Sequence, residues 1–127
     1  MKLRMKGNSL RLRITRSELA RLGAGEHVEE SIRLGPSSES TLRYSLTSDA
    51  SAKQVAVSYR ARRIAVDGPV ADLQAWCEND EVGIYAMLDR GEGESLEVAV
   101  EKDYACLDRS AEDNADAFTN PRAGKAC

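Results

Sequence analysis

The densest run of potential chemistry in this 127-residue chain lies near its C-terminus. Asp103, Cys106, Asp108, Glu112, Asp113 and Asp116 put five carboxylates and a thiol within fourteen residues. Carboxylates at 112, 113 and 116 crowd one side of a helical turn and repel one another unless a cation or a basic surface answers them. Two chemistries fit. The acidic segment docks on a basic face of the same chain, or it holds a metal with Cys106 and Cys127 as soft ligands and a carboxylate as the hard one. CxxC and HxxxH spacings are absent and the single His27 lies far off in sequence, so no metal ligand set is assigned. Glu97 and Glu101 share a strand face with Ala99 between them. That spacing suits an acid/base pair or two partners for cationic strands. There is no Ser-His-Asp cue, no GxSxG and no phosphate-cradling glycine loop. No catalytic residue is assigned and no cofactor is expected.

The basic face is at the other end of the chain. Lys2-Leu3-Arg4-Met5-Lys6 and Leu10-Arg11-Leu12-Arg13-Ile14 alternate with period two, the pattern of strands with one buried face. Gly7-Asn8 between them supplies a two-residue turn. The resulting register sets Met5 against Leu10 and Leu3 against Leu12, and on the opposite face Arg4 against Arg11 and Lys2 against Arg13. Like charges directly opposite each other destabilise a hairpin. Something acidic must cover that face, from this chain or from a partner. Lys2, Arg4, Lys6, Arg11 and Arg13 are therefore the candidate binding residues, for an anionic ligand or a protein partner. Nucleic acid is the second reading.

Composition sets the frame. The net charge of −3 hides an asymmetry. Residues 1–67 carry thirteen Lys and Arg against seven Asp and Glu, whereas residues 68–118 carry three against fourteen. Such a split marks either a nucleic-acid face or two halves that neutralise each other on folding. No apolar run approaches the ~20 residues of a membrane span, and the charged N-terminus is not a secretory signal. Three cysteines without a CxxC do not make a disulfide scaffold, so a cytoplasmic protein is expected.

The elements that must position these residues follow from the same patterning. Thr15-Arg16-Ser17-Glu18 is a capping box opening a short helix, with Leu19 and Leu22 inward and Gly23 as its stop. Strands are expected around Val28 to Leu34 and Leu42 to Leu46, joined by the Gly35–Ser40 loop. Further strands are expected at Val55 to Tyr59 and at Ile64 to Val66, on either side of the basic turn Arg60-Ala61-Arg62-Arg63. Thr47 to Ala52 reads as a polar break. Asp67-Gly68-Pro69 starts a second helix, with Pro69 at its first position and Val70, Leu73, Trp76 and Cys77 on its apolar face. Val82 to Leu88 and Leu96 to Val100 close the series. The expected fold is α+β: a mainly antiparallel small barrel or sandwich of about eight short strands with two short helices. Residues 1–100 form its single domain, and 101–127 form an acidic tail packed on it. No internal repeat is apparent.

Two resemblances add to this reading. The stretch Lys6-Gly7-Asn8-Ser9 through Ile14-Thr15, followed by a short helix and Gly25-Glu26-His27-Val28-Glu29, resembles the swapped-hairpin antitoxin and transition-regulator family. That resemblance spans residues 2–34, departs at Thr15 where proline is usual, and implies DNA binding through the basic first strands. Over the whole chain, the opening KLRMKGNSLRLRITRSEL, the central DEVGI and the closing EKDYACLDRSAEDNADAFTNP resemble a family of small bacterial proteins. Tyr104 and Thr119 stand where that family has Phe and Pro. This second resemblance implies relatives and no activity.

Overall fold

A computed structural model describes residues 1–105 and 115–119. The element order is β1 (Lys2–Met5), β2 (Ser9–Ile14), α1 (Arg16–Gly23), β3 (Val28–Arg33), β4 (Thr41–Asp49), β5 (Ala56–Arg60), β6 (Arg63–Pro69), α2 (Val70–Glu78), β7 (Gly83–Gly91) and β8 (Glu94–Lys102), with a 3-10 turn at Ser38–Ser40. The class is α+β. The strands form two four-stranded sheets, β1-β2-β8-β7 (sheet A) and β3-β4-β6-β5 (sheet B), and neither closes into a barrel. Four of the six strand pairings are antiparallel. The central pairing of each sheet, β2 with β8 and β4 with β6, is parallel. The chain divides into two compact units, one holding residue 1 and residues 20–81 and the other residues 2–19 and the described residues from 82 onward.

The first hairpin has the register read from its alternation: Lys2 faces Arg13, Leu3 Leu12, Arg4 Arg11 and Met5 Leu10. Gly7 turns it at φ +55. The capping box at α1 is reciprocal. The Thr15 amide donates to Glu18 Oε1 at 3.0 Å and the Glu18 amide to Thr15 Oγ1 at 3.3 Å. The helix stops later than its first glycine. Gly25, at φ +86, takes the left-handed position, with its amide on Leu22 O and the Glu26 amide on Arg21 O, each at 3.0 Å. This is a Schellman ending, which needs the glycine after the cap, so Gly23 stays helical.

Other element boundaries differ from the expected ones for similar local reasons. Pro69 ends β6 and serves as the N-cap of α2 rather than its first turn. β4 runs through the polar stretch to Asp49 because β6 supplies a parallel partner as far as Asp49↔Pro69. Along β3 only Val28 is buried, whereas Ile32 and Leu34 are 48% and 69% exposed. In sheet B the core gathers Val28, Leu46, Val66, Leu73 and Trp76; in sheet A it gathers Leu10, Leu12, Ile14, Val98 and Val100.

The connectivity contains a repeat that residue identities do not show. Lys2–Asp49 and Ala56–Lys102 each run strand, strand, helix, strand, strand. Each sheet joins the first hairpin of one copy to the second hairpin of the other through its parallel centre. Counting outward from the two-residue hairpin loops, Leu10, Leu12, Leu19 and Leu22 correspond to Ile64, Val66, Leu73 and Trp76, and all but Ile64 are buried. Only Leu19 and Leu73 in that set are identical. The repeat lies in apolar spacing, and spacing alone does not reveal strand exchange. Gly23 and Cys77 are equivalent positions, and a Cβ added to Gly23 would come within 2.7 Å of Cys77 Sγ.

Candidate anion-binding face

Strand alternation puts every second residue of sheet A on one face. The registers align Lys2 and Arg4 of β1, Ser9, Arg11 and Arg13 of β2, Glu97, Ala99 and Glu101 of β8, and Gly83, Tyr85 and Met87 of β7. Across these strands a cationic pair of columns meets a column with two carboxylates and then an exposed aromatic edge.

The parallel β2–β8 pairing decides how the like charges are compensated. Arg11 Nε lies 2.9 Å from Glu101 Oε1. Tyr85 donates its hydroxyl to Glu101 Oε2 at 2.8 Å. Burial, then the bond to Glu101 and its charge, push the Tyr85 pKa up to about 12, so the phenol remains a donor across the ordinary pH range. Lys2 Nζ lies 3.3 Å from Asp103 Oδ2, and Asp103 is 3% exposed. Arg4, Lys6 and Arg13 have no carboxylate partner among the described residues.

A cavity of about 220 Å³ opens on this face, lined by Arg4, Lys6, Ser9, Leu10, Arg11, Glu97 and Ala99. Its lining combines small residues, Ser9 and Ala99, with three cations. Glu97 is the one carboxylate in the lining, and it forms no ion pair among the described residues. A pocket of this size is below the ~300 Å³ lower end of drug-sized sites and well above the ~30 Å³ share of one water. It suits a small oxyanion held by charge-assisted hydrogen bonds.

Of the acidic cluster, Asp103 meets Lys2 as described. Asp116 meets the start of α1. Its backbone carbonyl accepts from the Arg16 amide at 3.1 Å and its Oδ1 from the Ser17 amide at 3.2 Å, while the Ser17 hydroxyl donates to Oδ2. Tyr104 and Phe118 form a parallel bridge with ring centroids 5.8 Å apart, and Lys102 Nζ stands 5.4 Å over the Phe118 ring. Cys106, Asp108, Glu112, Asp113 and Cys127 lie outside the described residues, and so does the paired-cysteine metal reading. Among the described residues no group of three or more His, Cys, Asp or Glu side chains gathers to hold a metal. Cys77 lies half-buried near the end of α2.

The Asp116 contacts give a pH prediction. The hydrogen bond to the Ser17 side chain, opposed by burial and joined by Thr15, the Ser17 amide and Arg16, holds the Asp116 carboxyl below its ordinary 3.8. A depressed carboxyl contributes stability that is present above the unfolded value and is lost as pH falls through the folded one. Amide exchange at Ser17 is therefore expected to stay slow down to about pH 3.8 and to accelerate below it. Asp116→Asn should remove that acid step and lower the melting temperature by a few degrees at neutral pH, as loss of a helix cap does. An identical acid profile in the variant refutes the assignment.

Ser9 and Tyr85 did not stand out in the sequence as members of a site. Period-two alternation gives each strand its face, but it does not say that β8 lies beside β2.

The class of molecule so defined is an α+β protein with exchanged hairpins that presents a cationic, cavity-bearing sheet face. The model of the family of unknown function DUF7009 matches residues 1–122, and the chain belongs to that family. No curated protein and no solved structure matches it. Among the described residues no helix is long and apolar enough to cross a membrane.

Proposed function

We propose that the protein is a non-catalytic binding module that takes a small oxyanion on the outer face of sheet A. One observation carries this reading. Arg4, Lys6 and Arg11 surround a cavity of about 220 Å³ whose single carboxylate pairs with none of them among the described residues. Aligned like charges cost stability, and a bound anion relieves that cost. We take the protein to be cytoplasmic, in keeping with three cysteines and no CxxC.

The test is a titration of the full chain with inorganic phosphate and with citrate, followed by amide shifts at Ser9 and Ala99. Saturable shifts in wild type, with affinity falling about ten- to a hundredfold in Arg4→Ala, are expected from the loss of one charge-assisted hydrogen bond. Shifts that are absent with both anions end the proposal.

A second reading, nucleic-acid binding, is favoured by the exchanged hairpins, which accord with the swapped-hairpin resemblance of residues 2–34. Duplex DNA in the same titration separates the two, because backbone binding falls steeply with salt.

A further inference from the structure

We propose that sheet B carries a second oxyanion site, built by Arg43, Arg60 and Arg63 over a floor of Ser45, Ala65 and Ser58, and that it takes a phosphoryl group. The registers align Arg43 of β4 with Arg63 of β6, and Arg63 with Arg60 of β5. Three arginines thus stand in one row across three adjacent strands, which are spaced ~4.8 Å apart. The Arg43 amide also donates to Arg62 O at 2.9 Å, fastening the β5–β6 turn beside β4. Like charges directly opposite are destabilising, and two such pairings share Arg63. Sheet A sets Glu101 and Asp103 against its cations. Here the described residues supply one ion pair, from Glu29 Oε1 to Arg63 at 2.8 Å. Arg43 and Arg60 have no carboxylate partner among the described residues, so the row keeps an excess of positive charge.

The adjacent row supplies small residues and hydroxyls. Ser45 pairs with Ala65, and Ala65 with Ser58, two positions along from the arginines and on their face. Ser45 is 3% exposed, yet its hydroxyl has no hydrogen bond among the described residues. An unmet buried hydroxyl beside a cationic row needs an acceptor. A phosphoryl group provides acceptor oxygens for it and for planar guanidinium forks, which match phosphate better than ammonium groups do.

The repeat supports the same conclusion independently. Counted from the hairpin loops, Lys6 and Ser9 correspond to Arg60 and Arg63, and by strand register Glu97 and Ala99 correspond to Arg43 and Ser45. The second site thus occupies the place that the sheet A cavity holds in the other sheet, with arginine where that cavity has its carboxylate.

The experiment titrates the full chain with pyrophosphate and, in parallel, with a short duplex DNA. These carry the same phosphoryl oxygens on a small and on a polymeric ligand. Amide shifts at Ser45, Ser58 and Ala65 report sheet B, and those at Ser9 and Ala99 report sheet A. The expected result is saturable sheet B shifts with one ligand or both, weakened at least tenfold in the double variant Arg43→Gln/Arg60→Gln. Those substitutions relieve repulsion, so the melting temperature should hold or rise, and a loss of binding will not reflect unfolding. Whichever ligand produces the arginine-dependent shifts identifies the source of the phosphoryl group. Arg4→Ala should leave the sheet B shifts intact, which separates failure of this site from failure of the one on sheet A. Sheet B shifts that are absent with both ligands, or that persist undiminished in the double variant, overturn the proposal.

Discussion

Replacing Trp76 by alanine is expected to remove about 3–5 kcal/mol of stability, the range for deleting a large buried aromatic. Trp76 is 1% exposed on α2, next to the equally buried Leu73 of the same helix. Its indole N–H donates to Glu81 O at 3.0 Å, so the ring also anchors the segment leading from α2 into β7. The substitution therefore opens a cavity and leaves a carbonyl without its donor. A native domain holds only about 5–15 kcal/mol in all, so the loss is a large fraction of the whole. A fall in melting temperature of roughly 10–20 °C follows for a chain of this size. Trp76→Phe separates the two effects. It keeps most of the apolar volume and forfeits the hydrogen bond, for an expected cost of about 1 kcal/mol from the lost bond alone. Circular dichroism is the right probe, since Trp76 is the chain's sole tryptophan and its removal abolishes indole fluorescence. A fall of only a few degrees in the alanine variant would show that α2 is not a principal anchor of its unit.

Features that depend on one element and its own side chains were legible in the sequence. The β1–β2 register, the capping box and the inward faces of both helices each rest on spacing within a dozen residues, and the structure has them in place. The like-charge problem on the first hairpin could be read in advance for the same reason. Glu97 and Glu101 could also be read as partners for cationic strands, but which cations they meet could not. Glu101 reaches Arg11 only because β8 runs parallel to β2, a pairing between segments far apart in sequence. The arginine row of sheet B shows the same limit. Arg60, Arg62 and Arg63 look like a solvated turn until β4 is known to bring Arg43 alongside. Ile32 and Leu34 mark where alternation misleads: the pattern of a buried face continues beyond the part of β3 that is covered. The exchange of hairpins between the two copies of the strand-helix-strand unit left no mark in residue identity, because each position needs only an apolar side chain of suitable size.

A substitution at Gly83 tests the β7–β8 ladder that delivers Glu101 to the cationic face. Propensity alone predicts that alanine in place of a strand glycine should be stabilising, by about 0.5–1 kcal/mol. The local geometry predicts the reverse sign. A Cβ at Gly83 would stand 2.5 Å from Val100 O, 2.9 Å from Glu101 Cγ and 3.1 Å from Glu101 Cα. A flexible side chain can turn away from such a contact, but a backbone oxygen in a central strand cannot. Here the ladder is fixed on both sides, with Gly83 paired to Glu101 and the Lys102 amide on Val82 O at 2.9 Å. Gly83→Ala is therefore expected to cost about 1–3 kcal/mol, the usual range for overpacking, and to displace β8 at Glu101. That displacement carries to the binding face, because Glu101 holds both Arg11 and the Tyr85 hydroxyl. The variant should melt several degrees lower and show altered amide shifts at Arg11 and Tyr85, two strands apart in sheet A. Because propensity and packing disagree in sign, the melting temperature alone decides between them. A variant as stable as wild type, or more so, would mean that the close approach of β7 to Val100 is not a fixed feature of the ladder.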